Sequence, residues 1–327
     1  IVTLHHRGDF IYKFVESAKK QTVPCEIIVM TSDNELASIG IKDCIVMYHP
    51  GMPAAKRNAG VRLSKYDYIG FFDDDVEIEP DCIQRLLFQL DTESVGMVYG
   101  KLHKADEPNR FDEAGGYLTS TGFIWSRAGQ NIRDLGQYDY LTEIFAGKSA
   151  SCMVKKDIFN KVGKFDEDFE ILGEESDLSW RVWLYGYRVL FVPWARGIHY
   201  FNTKYKPAKE YYTDTRVYRN GSRNYITMLL KNLESKNLWR ILPIHLLAWL
   251  GASFAKLLTG KLVPSLNILK GIMQVVRNMP LIIEKRRFIQ ERRKVSDDEL
   301  FKIILQDAPR GYYRERFLRY IHGGLHG

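Results

Sequence analysis

Cysteine is scarce in this sequence, which argues against a fold held together by disulfides or zinc. The 327 residues contain four cysteines at wide, irregular spacings that match neither a disulfide framework nor a zinc-binding pattern: Cys25, Cys44, Cys82 and Cys152. We therefore expect reduced, mostly buried thiols and a cytosolic protein. With 45% hydrophobic and 27% charged residues, the chain is able to bury a large core, as one big domain or as one domain with an appendage.

Long apolar runs and targeting segments are also missing. The opening run Ile1–Leu4 is far too short for a secretory signal, and we expect a few residues upstream because it resembles a strand already under way. The apolar stretch Ile241–Ala255 is shorter than the roughly 20 residues that a membrane span needs. It predicts an interfacial or re-entrant helix, or a plain core helix, rather than a crossing helix.

The net charge of +7 is modest, but it is unevenly distributed. Six basic residues crowd into one short stretch: Lys285, Arg286, Arg287, Arg292, Arg293 and Lys294. This cluster is either a solvated helix face or a surface for an anionic membrane. Together with the apolar stretch before it, the cluster predicts a cytoplasmic protein that binds peripherally to the inner face of the cell membrane. We expect no nucleic acid partner, and the oligomeric state stays open.

The first hundred residues alternate short apolar runs with helical periodicity, which favours βαβ units and a mostly parallel sheet. We predict an α/β domain over residues 1–205 and a helical region over 206–327. Strands are predicted at Ile1–Leu4, Glu26–Met30, Ile45–Tyr48, Tyr68–Phe72, 147–156 and Tyr187–Val192, and helices at Asp9–Gln21, Pro53–Leu63, Pro80–Leu90 and Lys156–Val162. The stretch from about 100 to 147 reads as loop-rich and predicts an inserted region on the acceptor side.

Three consecutive aspartates follow the apolar strand Tyr68–Phe72. Ligands in open α/β sheets lie beyond the carboxyl ends of strands. Carboxylates placed there repel one another and lose water, and a divalent cation compensates for both costs. In an extended backbone Asp73 and Asp75 point to the same side and share one ion, while Asp74 points away. Mg²⁺ or Mn²⁺ suits such oxygen ligands; the alternative is a solvated turn or a helix N-cap.

A second acidic cluster opens the segment Gly173–Arg181, which reads as the start of a helix. On such a helix Asp177 and Arg181 are four residues apart and are expected to pair. Glu175 lies about 100° around the helix from Glu174 and faces a different environment. A carboxylate beside a reacting hydroxyl is able to act as a general base. The alternative is an acidic helix N-terminus favoured by the helix dipole.

Three further residues are candidates for ligand binding. His199 follows a strand and a Pro-Trp turn, and a neutral imidazole there is a candidate third metal ligand. Lys56 and Arg57 carry charge that would neutralise a diphosphate. The alternatives are an ordinary loop histidine and ordinary surface charge.

Five stretches, in this order along residues 1 to about 200, resemble the family 2 glycosyltransferases of the GT-A fold. They are Gln21-Thr22, Ala55–Gly60, Phe72–Asp75, Val162–Glu167, and Gly173–Arg181 with Gly186–Val189. The resemblance implies a Rossmann-like, mostly parallel sheet flanked by helices, with a C-terminal helical region. It also implies an inverting enzyme that uses a nucleotide-sugar donor and Mg²⁺ or Mn²⁺.

The functional residues of the family transfer to named positions. Asp73 and Asp75 match the aspartates that bind metal and donor, and His199 matches the histidine found near the metal in some members. The general base falls on Glu175, where the family usually has Asp, which leaves Glu174 as an alternative. Lys56, Arg57 and Asp74 are assigned to the donor.

Two departures from the family pattern concern specificity. Where the family usually has an Asp pair that reads the nucleobase and ribose, this chain has Thr31-Ser32-Asp33. Either Asp33 takes over or Thr31 holds the base through its hydroxyl, and the donor stays open between UDP- and dTDP-sugars. The Gln-x-x-Arg-Trp signature of processive synthases is missing. The chain therefore resembles non-processive, rhamnosyltransferase-like members, which transfer hexosyl or deoxyhexosyl groups onto a glycan or a polyprenyl-linked acceptor in cell-surface glycan synthesis.

The resulting hypothesis is a single displacement in which the metal offsets charge on the leaving nucleoside diphosphate and Glu175 removes the acceptor proton. One alternative is a catalytically inactive sugar-nucleotide-binding or scaffold subunit of a membrane glycan-assembly complex. Another is a nucleotidyltransferase, which usually needs a Gly-rich phosphate loop after its first strand. The stretch Leu4–Phe10 contains only Gly8 and argues against that class.

Overall fold

The computed structural model describes residues 1–5, 9–129, 132–201, 203, 215–309 and 311. The chain folds as two compact units. The first comprises Ile1–Gly116, Ser126–Glu170 and Glu174–Lys206, and the second comprises Tyr117–Trp125, Ile171–Gly173 and Pro207–Gly327. Two short upstream segments thus belong to the second unit.

The first unit is built on a ten-stranded mixed sheet. The strands of the described chain are β1 (Val2–His5), β2 (Ile28–Thr31), β3 (Ile45–Tyr48), β4 (Tyr68–Asp73), β5 (Val76–Ile78), β6 (Val95–Lys104), β7 (Phe111–Glu113), β8 (Gly116–Leu118), β9 (Ile124–Ser126), β10 (Thr142–Glu143), β11 (Ser151–Lys155) and β12 (Arg188–His199). The main order is β10-β12-β6-β11-β4-β1-β2-β3, with β5 on β12 and β7 on β6, while β8 and β9 pair separately. Strands β3, β2, β1, β4, β6 and β12 run in one direction, and β11 is reversed between β4 and β6.

Helices flank the sheet and then dominate the second unit. The first unit contains α1 (Phe10–Lys19), α2 (Asn34–Ile39), α3 (Pro53–Leu63), α4 (Cys82–Leu90), α5 (Lys156–Lys161) and α6 (Glu174–Leu184). The second contains α7 (Arg216–Asn232), α8 (Ser235–Leu258), α9 (Leu262–Arg277), α10 (Met279–Arg292) and α11 (Asp297–Ile304). The predicted α/β class, with a mostly parallel sheet and a C-terminal helical region, is confirmed.

The core of the first unit follows from the periodicity of its elements. Helix α1 buries Ile11, Phe14, Val15 and Ala18, which are spaced three or four residues apart and so share one face. This face packs in one cluster with buried strand residues such as Val29 and Phe72. The four cysteines are free thiols; Cys82 and Cys152 are buried, and Cys25 and Cys44 are partly buried.

The loop-rich prediction for residues 100–147 is wrong at its beginning, because Val95–Lys104 forms the long core strand β6. Two glycines in this segment weaken its strand signal, and both are needed for packing. A Cβ at Gly96 would come within 2.8 Å of side-chain atoms of Val182 and Tyr187. A Cβ at Gly100 would lie 2.8 Å from the carbonyl oxygen of Ala195 in β12. The glycines therefore mark the close approach of neighbouring elements.

The length expected for the apolar C-terminal segment is also corrected. Helix α8 covers 24 residues, because it extends beyond Ile241–Ala255 at both ends. By length and composition it is able to cross a membrane, yet only 28% of its most apolar window is buried in the protein. The length of α8 therefore does not exclude a crossing helix.

Candidate active site

The acidic run lies at the carboxyl end of β4. Asp73 ends the strand, and Asp74 and Asp75 form the turn into β5. Strand β5 pairs with β12 so that Val76 lies opposite His199. This register places the imidazole beside Asp75, the residue before Val76. Ligand atoms of Asp73, Asp75 and His199 all lie within 4.8 Å of one another, so the three predicted metal ligands meet in space.

His199 is held by a carboxylate on each side. Its Nδ1 lies 2.8 Å from Asp112 Oδ2 and its Nε2 lies 3.1 Å from Asp75 Oδ1. Burial lowers the pKa of His199, but the charge of Asp112 and the hydrogen bonds to Asp112 and Asp75 outweigh it and raise the pKa to about 10. In this state both ring nitrogens carry protons and donate. A cation bound between Asp75 and His199 would take the place of the Nε2 proton.

Asp112 completes the surroundings of the histidine. It lies on β7 and also accepts a hydrogen bond of 2.9 Å from Lys148 Nζ. Burial opposes its ionisation, but the charges of Lys148 and His199 hold the pKa of Asp112 below its usual range. Histidines that bind metals usually donate their second ring N–H to a carboxylate, which fixes the ring orientation. The residues present therefore fit a divalent cation held by two carboxylates and one imidazole nitrogen.

Arg57 connects the acidic run to the second acidic cluster. It lies on α3, is buried, and donates from Nη1 to Glu174 Oε1 at 3.0 Å and from Nη2 to Asp73 Oδ1 at 3.4 Å. Burial lowers the pKa of Arg57, but the negative charges of Glu174 and Asp73 outweigh it, and the pKa lies above its ordinary value. Arg57 is thus an internal bridge between two carboxylates.

The first turn of α6 presents two glutamates with different surroundings. Glu174 is buried and paired with Arg57. Glu175 is half-buried, and burial of its carboxyl together with the charge of Glu174 raises its pKa well above the usual range. The predicted pair Asp177–Arg181 is confirmed, with Arg181 Nε donating to Asp177 Oδ2 at 3.0 Å.

The residues assigned to the donor lie near the ends of β2 and β4. Lys56 is buried and donates a hydrogen bond to Ser32 Oγ. Burial lowers the pKa of Lys56, and the negative charge of Asp74 partly offsets this effect. Thr31 Oγ1 accepts a hydrogen bond from the Asp33 backbone N–H at 2.9 Å. The structure brings Lys56, Ser32 and Asp74 into one neighbourhood.

Asp33 has a local structural role as well. Its Oδ1 accepts from the backbone N–H groups of Glu35 at 2.9 Å and Leu36 at 3.2 Å, and so caps α2. Helix α2 is absent from the sequence-based assignment. One carboxylate oxygen of Asp33 is therefore engaged by the backbone.

Two contributors to the site were missed by sequence reasoning. Asp112 lies 87 residues from His199, and Lys148 lies 36 residues from Asp112. Both fall in or beside the segment interpreted as loop-rich, and neither belongs to a motif. Only the pairing of β7 with β6 reveals where Asp112 lies.

The fold is that of the GT-A glycosyltransferases. The crystal structure of GalNAc-T7 with UDP, GalNAc and Mn²⁺ is similar, with a TM-score of 0.55 at 12% identity over 86% of this chain and 56% of that one. Among curated proteins, the O-antigen biosynthesis protein RfbC of Myxococcus xanthus is 24% identical over 52% of this chain. Glycosyltransferase GlyG of Streptococcus pneumoniae is 24% identical over 50%. The chain spans only 14% and 58% of the lengths of these two relatives.

Residues 1–163, about half of the chain, match glycosyl transferase family 2. The chain belongs to this family. The match covers the acidic run and α3, and it ends before α6 and His199.

Proposed function

We propose that this protein is an inverting, metal-dependent glycosyltransferase that moves a hexosyl or deoxyhexosyl group from a UDP- or dTDP-sugar to an acceptor hydroxyl. The observation that carries the proposal is the bridge formed by Arg57. Through its contacts of 3.4 Å to Asp73 and 3.0 Å to Glu174, it holds the metal-ligand cluster and the first turn of α6 in one site. Donor activation and proton removal have to occur side by side in such a transfer.

Glu175 is the better candidate for the general base. The Glu174 carboxylate already accepts a hydrogen bond of 3.0 Å from the Arg57 guanidinium, so it serves a structural ion pair. The raised pKa of Glu175, caused by burial and by the adjacent charge of Glu174, makes its carboxylate a stronger base toward an alcohol. A carboxylate that removes the acceptor proton while the hydroxyl attacks the anomeric carbon supports a single displacement with inversion.

Asp73, Asp75 and His199 would hold Mg²⁺ or Mn²⁺. Such an ion, when bound, supplies positive charge for the leaving diphosphate. Asp112 orients the His199 ring, and Lys148 holds Asp112 in place. Mn²⁺ accepts imidazole nitrogen beside carboxylate oxygen, whereas Mg²⁺ favours oxygen ligands and water.

The donor contacts are proposed for the residues beside this cluster. Lys56 provides a cation next to Ser32 and Asp74 for the phosphates, and Thr31 and Asp33 are proposed to contact the nucleoside. Because Asp33 Oδ1 is used in the cap of α2, we expect its contribution to the ribose to come from the other oxygen.

The name of one relative supports the proposed acceptor, and the state of the cysteines supports the proposed location. A relative named for O-antigen biosynthesis supports a glycan or polyprenyl-linked acceptor in cell-surface polysaccharide synthesis. Free, largely buried thiols are in keeping with a cytoplasmic protein at the inner face of the cell membrane.

The test uses the chain of 327 residues with a panel of nucleotide sugars and Mn²⁺. Thermal shifts identify the donor, because a ligand that binds the native state raises stability. With that donor, Asp75→Asn and Glu175→Gln should each lower kcat by about 10²–10⁴-fold. Glu174→Gln is the matched control and should keep more activity than Glu175→Gln.

Wild-type turnover in both Asp75→Asn and Glu175→Gln would rule out these assignments. If the wild type bound the donor but neither transferred its sugar nor hydrolysed it in the presence of metal, the inactive scaffold would be favoured instead.

A further inference from the structure

The polar and apolar residues of helix α8 are distributed in the opposite way from those of a helix on the surface of a soluble protein. Its buried residues form one stripe at spacings of three or four, and most of them are polar: Asn237, Ile241, His245, Trp249, Ser253 and Lys256. A helix that packs on a soluble core normally buries its apolar residues and exposes its polar ones. Here the polar stripe faces the protein.

The polar stripe is bonded to the rest of the second unit along the whole helix. Asn237 Nδ2 donates to Asp297 Oδ2 at 3.2 Å in the first turn. Near the middle, His245 Nδ1 lies 2.9 Å from the Thr121 carbonyl oxygen. The His245 Nε2 accepts a bond from Trp249, so Nδ1 is the donor. Because α8 is attached from end to end, it is unsuited to cross a bilayer alone.

The outward face of α8 is apolar and exposed. Trp239 is 78% exposed, Leu247 is 69% exposed and Phe254 is 61% exposed. Between Ile241 and Ala255 the sequence contains no charged residue. This face is therefore chemically suited to contact hydrocarbon rather than water.

The apolar surface continues onto α9, which contacts α8 through the hydrogen bond between Ser253 and Ser265. The exposed large apolar residues of α9 are Leu262, Val263, Leu266, Leu269, Met273 and Val276. An exposed surface of this extent marks a binding site for a protein or a membrane. We call it the α8–α9 face, defined by these six residues together with Trp239, Ile244, Leu247, Leu250, Phe254, Leu257 and Leu258 of α8.

The charges around this face select its partner. From residue 235 to residue 283 the sequence contains no Asp or Glu, and five of its basic residues lie outside the buried stripe: Lys236, Arg240, Lys261, Lys270 and Arg277. The basic stretch 285–294 follows. If a second copy of the chain covered the same face, like charges would meet, whereas the headgroups of anionic lipids attract this set.

We propose that the α8–α9 face lies in the interface of an anionic bilayer, with both helices in the membrane plane and neither crossing it. Apolar side chains enter the acyl boundary, and exposed cations such as Lys270 and Arg277 contact lipid phosphates. The inference goes beyond the proposed sugar transfer and is independent of it, because it rests on the second unit alone.

Binding of the chain of 327 residues to lipid vesicles, without donor or acceptor, tests whether the α8–α9 face binds a membrane. Wild type should bind mixed phosphatidylcholine–phosphatidylglycerol vesicles and bind pure phosphatidylcholine weakly. Leu247→Glu and Phe254→Glu should each weaken binding at least about tenfold. The matched control is Phe88→Glu, which changes a 77% exposed aromatic residue of the first unit and should bind like wild type. Lys270→Glu and Arg277→Glu should each weaken binding to anionic vesicles about fivefold or more.

The orientation of α8 in the bilayer is tested with Leu247→Trp, which places a fluorescent side chain at the middle of the helix. This test remains valid even if the charged variants do not fold. Lipids brominated at shallow acyl positions should quench the added fluorescence more strongly than lipids brominated near the bilayer centre. Stronger quenching from the centre would overturn the in-plane arrangement. Failure of wild type to bind anionic vesicles, or unchanged binding by folded Leu247→Glu and Phe254→Glu, would overturn the membrane partner. If the wild type self-associated but did not bind vesicles, and Leu247→Glu abolished the self-association, the face would be assigned to a second copy of the chain.

Discussion

At the scale of single residues, Asp112 decides the orientation of His199 although no motif contains it. Its Oδ2 lies 2.8 Å from His199 Nδ1 and accepts a second bond from Lys148 at 2.9 Å. Carboxylates in this position fix the ring and strengthen the other nitrogen as a metal ligand. The affinity of the proposed site for a divalent cation would therefore depend on a residue outside the proposed ligand set.

We expect Asp112→Asn to lower the affinity for Mn²⁺ about ten- to a hundredfold, because the amide holds the imidazole less strongly than the carboxylate does. Titration calorimetry with MnCl₂ measures the change. The control is Glu107→Gln, which removes an exposed carboxylate paired with Arg110 in the same unit. Equal Mn²⁺ affinities for wild type and Asp112→Asn would contradict the orienting role.

At the scale of elements, β6 shows where sequence patterns mislead. Every residue from Val95 to Leu102 is buried, as expected for a strand covered on both faces. The glycines at positions 96 and 100 resemble loop residues, but neither site has room for a methyl group. Side chains of Val182 in α6 and of Tyr187 crowd Gly96, and Ser151 of β11 and Ala195 of β12 crowd Gly100. A local pattern does not contain the identity of the neighbouring strand.

Gly100→Ala should therefore lower the free energy of unfolding by about 1–3 kcal/mol through overpacking, since its Cβ would lie 2.6 Å from Ser151 Oγ and 2.8 Å from the Ala195 carbonyl oxygen. Gly251→Ala is the matched control: no atom lies within 4 Å of the new Cβ, and α8 should gain up to about 1 kcal/mol of helix propensity. Denaturant titration measures both. Equal effects of the same sign would contradict the assigned packing of β6.

At the scale of the whole molecule, the site costs stability at neutral pH. Burial and the charge of Glu174 raise the pKa of Glu175, so between the ordinary glutamate pKa of about 4.3 and the raised value, the folded state binds more protons than the unfolded state. The free energy of unfolding then falls as pH rises through this window. A carboxylate suited to remove a proton is thus a carboxylate that opposes folding.

Glu175→Gln should consequently melt at a higher temperature than wild type at neutral pH in metal-free buffer. The difference should shrink toward zero as the pH falls below about 4.3, because the Glu175 carboxyl is then protonated in the folded and in the unfolded chain. Thermal unfolding across a pH series gives this comparison, with Glu107→Gln as a control that should show no such trend. A wild type as stable as Glu175→Gln at every pH would show that Glu175 is not perturbed.

The sequence alone determined the parallel part of the fold and the positions of Asp73, Asp75 and the α6 glutamates. Apolar residues that recur every two or 3.6 positions indicate which face of a strand or helix is buried. An acidic run directly after an apolar strand has to lie at the edge of the sheet where that strand ends. Because one strand and the turn after it contain both aspartates, no long-range contact was needed to predict them.

Only the tertiary structure decided which partners these residues meet. The ion pair between Arg57 and Glu174 joins residues 117 positions apart, and the Asp112–His199 contact depends on how β7 and β12 join the sheet. The tertiary structure also showed that α8 buries its polar stripe. Periodicity indicates that a helix has two faces, but it does not indicate which face contacts the protein. Pairwise contacts between distant segments are set by sheet order and helix packing, and neither is encoded in a local pattern.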